Sequence, residues 1–145
     1  MFIRDVLSVK SSGEIFGIEP GATIAEAVGR MVEHDIGSLA VMDGDVLVGF
    51  ITERDVMRGL QSRGGSVVDA RVSDIMVKEP VAANLDDSVD YARDVMTKER
   101  ISHLIVMDGE KLVGVISFHD VAKAALKKIN YENALLKRYI KHWPE

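Results

Sequence analysis

One stretch of this 145-residue chain is a copy of another at a fixed distance, and that limits the fold more than any other feature. Met42-Asp43-Gly44 recurs as Met107-Asp108-Gly109, and Leu47-Val48-Gly49 recurs as Leu112-Val113-Gly114, both displaced by 65 positions. The same displacement carries Ala27 to Ala92, Met31 to Met96, Ile36 to Ile101, Leu39 to Leu104, Val41 to Val106, Ile51 to Ile116 and Asp55 to Asp120. No gap is needed between Thr23 and Val56. A further anchor, Asp5-Val6-Leu7 against Asp74-Ile75-Met76, sits at an offset of 69, so the first copy carries about four extra residues near Ser8 to Gly13, in a Ser-, Lys- and Gly-rich loop. The chain thus divides into repeat 1 (residues 1–66), repeat 2 (67–125) and a C-terminal helical extension (126–145), one compact module overall. The Arg63-Gly64-Gly65-Ser66 connection is too short for a free linker, so the repeats are expected to pack together.

Local periods give each repeat the same order of elements. Thr23 and Ser88 are N-cap residues, followed at helical spacing by Ile24, Ala27, Val28 and Met31 and by Val89, Ala92 and Met96. Ser38 to Met42 and His103 to Met107 are short apolar runs that stop at Asp-Gly, and Val46 to Thr52 and Lys111 to Ser117 resume the pattern, which is a hairpin signal. Helices begin after the second strands, at Glu53 and Phe118, and short strands precede the first helices near Ile15 to Ile18 and Val81 to Asn84. The fold class is α/β (α+β), with two tandem β-α-β-β-α repeats. Neither repeat alone covers both faces of a three-stranded sheet, so the two are expected to pack around a pseudo-two-fold axis with a cleft at the junction.

Charge and composition remove several classes of function. A net charge of −5 argues against a general affinity for nucleic acid or anionic membrane, so an anionic ligand must be caught by a local site. The absence of Cys excludes disulfides, thiolate metal sites and Cys nucleophiles and fits a reducing, cytoplasmic setting. The start, Met1-Phe2-Ile3-Arg4-Asp5, lacks the apolar run of a secretory signal, and no run approaches the roughly 20 residues that span a bilayer. His34, His103, His119 and His142 match no HxxxH or HExxH spacing, so no metal is expected. Ser117, His119 and Asp120 share one turn and cannot form a nucleophile-base-orienter chain; GxxxxGK[ST] and GxGxxG are also missing, so no catalytic residues, no catalytic cofactor and no enzyme activity are expected.

The segment with most chemistry is Gly49-Phe50-Ile51-Thr52-Glu53-Arg54-Asp55 and its copy Gly114-Val115-Ile116-Ser117-Phe118-His119-Asp120. Each is a strand running into a helix N-terminus, where N–H groups and the helix dipole favour an anion, with a hydroxyl at the turn and a carboxylate suited to a ribose diol. Ser/Thr followed three residues later by an acid is equally the pattern of a capping box, which only satisfies backbone donors.

The ordered set of strand, helix, Asp-Gly hairpin and Gly-apolar-apolar-Thr/Ser-x-x-Asp, in two copies from about Arg4 to Lys123, resembles the cystathionine-β-synthase (CBS) domain pair, or Bateman module. The resemblance implies two quasi-equivalent clefts that take AMP foremost, or ATP, ADP or NADH. It assigns Asp55 and Asp120 to ribose hydroxyls, Thr52 and Ser117 to ribose or phosphate, and Arg54 to phosphate, with His119 as the weaker counterpart. Each cleft draws on both repeats in this family. The Asp55 site therefore gains Lys78, Pro80, Val81, Ile101 and Ser102, and the Asp120 site gains Ile15, Phe16, Ile36 and Gly37, with His103 beside Ser117 and His119. Ile36 and Ile101 suit the core as well as a ligand. The first cleft, with Arg54 and Lys78, is the better equipped for phosphate. The expected function is a nucleotide-binding regulatory sensor, stand-alone and homodimeric, acting on an unidentified protein; the alternative is a ligand-free scaffold for dimerisation or partner binding. From Asp120 to Trp143 the chain reads as one long helix or two short ones, with Leu126, Ile129, Leu135, Leu136, Tyr139 and Ile140 among five Lys and Arg138, ended by Pro144 and packed on its own module or a second subunit.

Overall fold

The computed structural model describes residues 1–9 and 14–141. The extra loop near Ser8 to Gly13 falls largely outside them, as do His142, Trp143 and Pro144. Along repeat 1 run α1 (Ile3–Ser8), β1 (Gly17–Ile18), α2 (Ile24–His34), β2 (Ser38–Asp43), β3 (Val46–Thr52) and α3 (Glu53–Ser62). Repeat 2 follows with α4 (Val72–Ile75), β4 (Ala82–Asn84), α5 (Val89–Glu99), β5 (His103–Asp108), β6 (Lys111–Ser117) and α6 (Phe118–Lys141). The two β-α-β-β-α units expected from the sequence are the ones the chain forms, each led by a short helix, and the C-terminal segment is one continuous helix.

Each unit holds a three-stranded sheet, ordered β1-β2-β3 and β4-β5-β6. The first pair in each sheet is parallel and the second is an antiparallel hairpin. The two hairpins are copies to the residue: Leu39 faces Ile51 and Leu104 faces Ile116, and each carries a bulge at the same place, after Val41 and after Val106. Gly44 and Gly109 turn the chain at φ 61° and 62°, a left-handed conformation open to Gly without strain. Thr23 and Ser88 accept backbone N–H bonds from Glu26 and Tyr91 and so start α2 and α5.

Alternation along the strands sends Leu39, Val41 and Ile51 to one face of the first sheet, where they meet Ala27 and Met31 of α2 and Val56 of α3. Leu104, Val106 and Ile116 meet Ala92, Met96 and Val121 in the same way. Ala40, Phe50 and Ile105 are buried yet belong to neither cluster, because they lie on the opposite sheet faces, where the repeats meet.

The leading helices are exchanged. Ile3 and Val6 of α1 are buried in the core of repeat 2, and Val72 of α4 in that of repeat 1. Backbone bonds fix both docks: Ile3 N and Arg4 N donate to Asp87 O and Leu85 O, while Val72 N and Ser73 N donate to Ala22 O and Pro20 O. Each core is thereby completed by residues distant in sequence, which locks the two repeats into one body.

Candidate functional site

Two clefts open at the junction of the repeats. The first, of about 280 Å³, is bounded by the β3-to-α3 turn of repeat 1 and by the chain after α4 and before β5 of repeat 2. What holds those pieces together is a backbone bridge: Phe50 N donates to Val77 O at 2.9 Å and Val77 N returns a bond to Phe50 O at 2.8 Å. That bridge brings Val77, Glu79, Pro80 and Val81 beside Thr52, Arg54 and Asp55. Ile101, Ser102 and His103 close the far side.

At the turn, Thr52 N and Oγ1 both donate to Asp55 Oδ2 at 2.9 Å, and Asp55 N donates back to Thr52 Oγ1 at 3.3 Å. The capping box is therefore built, and it occupies one carboxylate oxygen; Oδ1 lies 4.0 Å from Arg58 Nη1. Three arginines line this cleft, Arg54, Arg58 and Arg100, together with the acidic residues Glu53, Asp55 and Glu79. Arg100 is held at φ 55°, as the left-handed end of α5, a conformation that works against any residue with a Cβ.

The second cleft, of about 320 Å³, is lined by Ile15, Phe16, Ile36, Gly37, Ser117 and Asp120, together with Glu14, His34, Asp35, Ser38, His103 and Val115. Ser117 N donates to Asp120 Oδ2 at 2.9 Å and Asp120 N to Ser117 Oγ at 3.1 Å, so the repeat-2 cap is also made. The rings of Phe16 and His34 stack at 4.2 Å. Among the described residues this cleft has three carboxylates and no Lys or Arg, a sharp contrast with the first.

Fourteen of the sixteen residues expected from sequence line the clefts. Lys78 does not, although Val77 and Glu79 on either side line the first cleft; the chain bends at Lys78. His119 does not line the second cleft, although Arg54, its counterpart in repeat 1, lines the first; the shorter imidazole stays exposed beside it. His103 lies on both clefts rather than the second alone, with its ring 6.5 Å from that of Phe50. Sequence reasoning missed Arg58, for which the i,i+3 spacing from Asp55 was a usable signal, and Arg100, which only the αL turn brings into the cleft.

Among the described residues no three His, Asp or Glu side chains are placed to hold a metal ion, and no helix is long and apolar enough to cross a membrane. One family matches twice along the chain, the CBS domain, at residues 3–62 and again at 72–127. The chain belongs to the CBS domain family. The CBS pair is 32% identical over 146 residues to the mitochondrial CBS domain-containing protein CBSX3 of Arabidopsis thaliana, covering 95% of this chain and 71% of that one. A protein with CBS domains from Burkholderia ambifaria superposes with a TM-score of 0.83 at 32% identity, over 88% of this chain and 95% of its own. The CBS domain pair of protein MJ0100, solved in complex with 5′-methylthioadenosine and S-adenosyl-L-methionine, superposes with a TM-score of 0.74 at 25% identity, over 88% of this chain and 98% of its own.

Proposed function

We propose that this CBS pair is a regulatory module that binds an adenine nucleotide of the AMP, ADP, ATP or NADH class in the first cleft and turns over none of them. The observation that carries the reading is that residues from both repeats converge on one cavity holding Thr52, Asp55 and three arginines. Arginine keeps its charge at all working pH values and pairs with phosphate in a planar fork, so Arg54, Arg58 and Arg100 suit the phosphate end. Asp55, with Oδ1 outside the cap, suits the ribose hydroxyls. Pro80, Val81 and Ile101 provide an apolar slot for the base. The adenosyl ligands held by the MJ0100 domain pair support the ligand class. A ligand touching both repeats favours one relative geometry of the repeats over others, and by linkage that geometry alters affinity for a protein partner. The working unit in this reading is a homodimer.

Thermal unfolding in the presence of AMP, ADP, ATP and NADH tests the binding. A ligand at about 100 times its Kd raises stability by about 2.7 kcal/mol. No shift with any of the four at millimolar concentration would overturn the reading. The capping box gives one specific ground for the scaffold alternative, since Thr52 and Asp55 already satisfy one another without a ligand.

A further inference from the structure

The two clefts are built from equivalent positions, and at those positions the charge has changed. Gly17 faces Ala40 and Ala82 faces Ile105 in register, so the displacement of 65 that relates the repeats also relates the walls of the clefts. The arginines of the first cleft are Arg54, Arg58 and Arg100. Their copies are His119, Lys123 and Asp35. Neither His119 nor Lys123 lines the second cleft, whereas Asp35 does. Arg100 and Asp35 each end a helix in the left-handed conformation, at φ 55° and 53°, so one backbone geometry places a basic residue on the first cleft and an acidic one on the second.

The balance of charge differs accordingly. In the first cleft three arginines stand against Glu53, Asp55 and Glu79. Among the described residues the second holds Glu14, Asp35 and Asp120 with no arginine or lysine. A helix start stands at each cleft and favours an anion equally, but the first adds arginines to that field and the second opposes it with carboxylates. The wall changes too. Val81 of the first cleft is replaced by Phe16 in the second, where the ring stacks on His34 at 4.2 Å. An aromatic face beside carboxylates suits a positive group, since the negative face of the ring and the acids both attract it. The turn itself is unchanged, because Ser117 and Asp120 make the reciprocal cap that Thr52 and Asp55 make.

We infer that the second cleft takes a nucleoside with a positive group where a nucleotide carries phosphate, and that Asp35 sets this preference. The nucleoside part rests on the proposed reading of the Thr52–Asp55 turn as a ribose site, which Ser117 and Asp120 repeat; the charge preference rests on the cleft lining alone. A phosphate monoester brings about two negative charges at neutral pH. Set among Glu14, Asp35 and Asp120 it is repelled, whereas a protonated amine at the same carbon is attracted. Asp35 is exposed, so the preference is several-fold at low salt and shrinks as salt rises. The chain in this inference reads two ligands of opposite charge, one in each cleft.

Calorimetric titration of the full chain with adenosine, AMP and 5′-amino-5′-deoxyadenosine tests it, because the three probes differ only in the group on the 5′ carbon. A chain carrying Arg54→Ala and Asp55→Ala leaves the second cleft as the site to be read, with far-UV circular dichroism as a control for folding. On that chain the amine should bind several-fold more tightly than adenosine at low salt, and AMP should bind most weakly. Asn accepts the left-handed conformation, so Asp35→Asn removes the charge and keeps the end of α2. Added to the same chain it should bring the amine down to the level of adenosine. In the otherwise native chain Asp35→Asn should weaken the amine and leave AMP unchanged, a comparison that does not need the first-cleft substitutions to fold. Equal binding of all three probes, tighter binding of AMP than of the amine in the second cleft, no binding of the amine, or an amine preference that survives Asp35→Asn would each overturn the inference. Failure of the nucleotide reading shows separately, as a native chain that does not bind AMP.

Discussion

Thr52 and Asp55 satisfy one another in both directions: the carboxylate Oδ2 takes the Thr52 backbone and hydroxyl protons at 2.9 Å each, and the hydroxyl oxygen takes the Asp55 N–H at 3.3 Å. The same two side chains thus start α3 and stand at the mouth of the first cleft.

Asp55→Ala separates these duties. Loss of the reciprocal cap should destabilise the chain by about 1 kcal/mol. In the proposed sensor, nucleotide affinity should fall by at least about tenfold, a loss of about 1.4 kcal/mol. Calorimetric titration with AMP alongside a denaturant melt measures both. A stability loss alone, with affinity intact, would favour the scaffold.

Arg100→Gly should move stability and binding in opposite directions. At φ 55° the residue pays for its Cβ, so Gly should leave the chain as stable or raise it by up to ~1 kcal/mol. The same change removes one of three cations from the first cleft. Affinity for AMP should drop while affinity for adenosine changes little, and comparing the two ligands on the variant checks this.

Gly49 and Gly114 are equivalent in sequence, yet Ala at the two positions should act unequally. A Cβ on Gly49 would sit 2.5 Å from Met76 Sδ and 2.9 Å from the Val77 carbonyl, which is fixed by the bridge to Phe50. On Gly114 it would meet the tip of Leu7, 2.7 Å away, which is able to rotate. Gly49→Ala should lose about 2–3 kcal/mol and disturb the first cleft, and Gly114→Ala about 1 kcal/mol. Denaturant melts of the two variants give the comparison.

Ile3 is the third residue of the chain, a place where substitutions are usually mild, yet it is fully buried in the repeat-2 core. Ile3→Ala should therefore cost about 2–5 kcal/mol in a denaturant melt, the range for a large-to-small change in a packed core. An effect below about 1 kcal/mol would show that α1 is not docked as described.

Local features of this molecule were legible because their physics is local. Asp-Gly between apolar runs gave both hairpins, and hydroxyls ahead of helical periods gave the caps at Thr23, Thr52 and Ser88. Most of the cleft lining came from the resemblance to the CBS pair, which implies that each cleft draws on both repeats, and fourteen of those residues do line the clefts. Lys78 and His119 do not line the clefts for a reason equally physical: a position in sequence says which element carries a side chain, whereas reach and the local course of the chain, a bend at Lys78, decide which surface it lines.

The sequence by itself determined a pair of β-α-β-β-α units, their hairpin register and the identity of the residues at each strand-to-helix turn, since all of these depend on neighbours within a few positions. Only the tertiary structure decided that α1 and α4 change places between cores, that Arg58 and Arg100 join Arg54 in the first cleft while the second has no arginine or lysine among its described residues, and that no described residue covers the outer faces of α2 and α6. Those outcomes depend on how surfaces far apart in sequence pack across the pseudo-two-fold axis, and no local period carries that information.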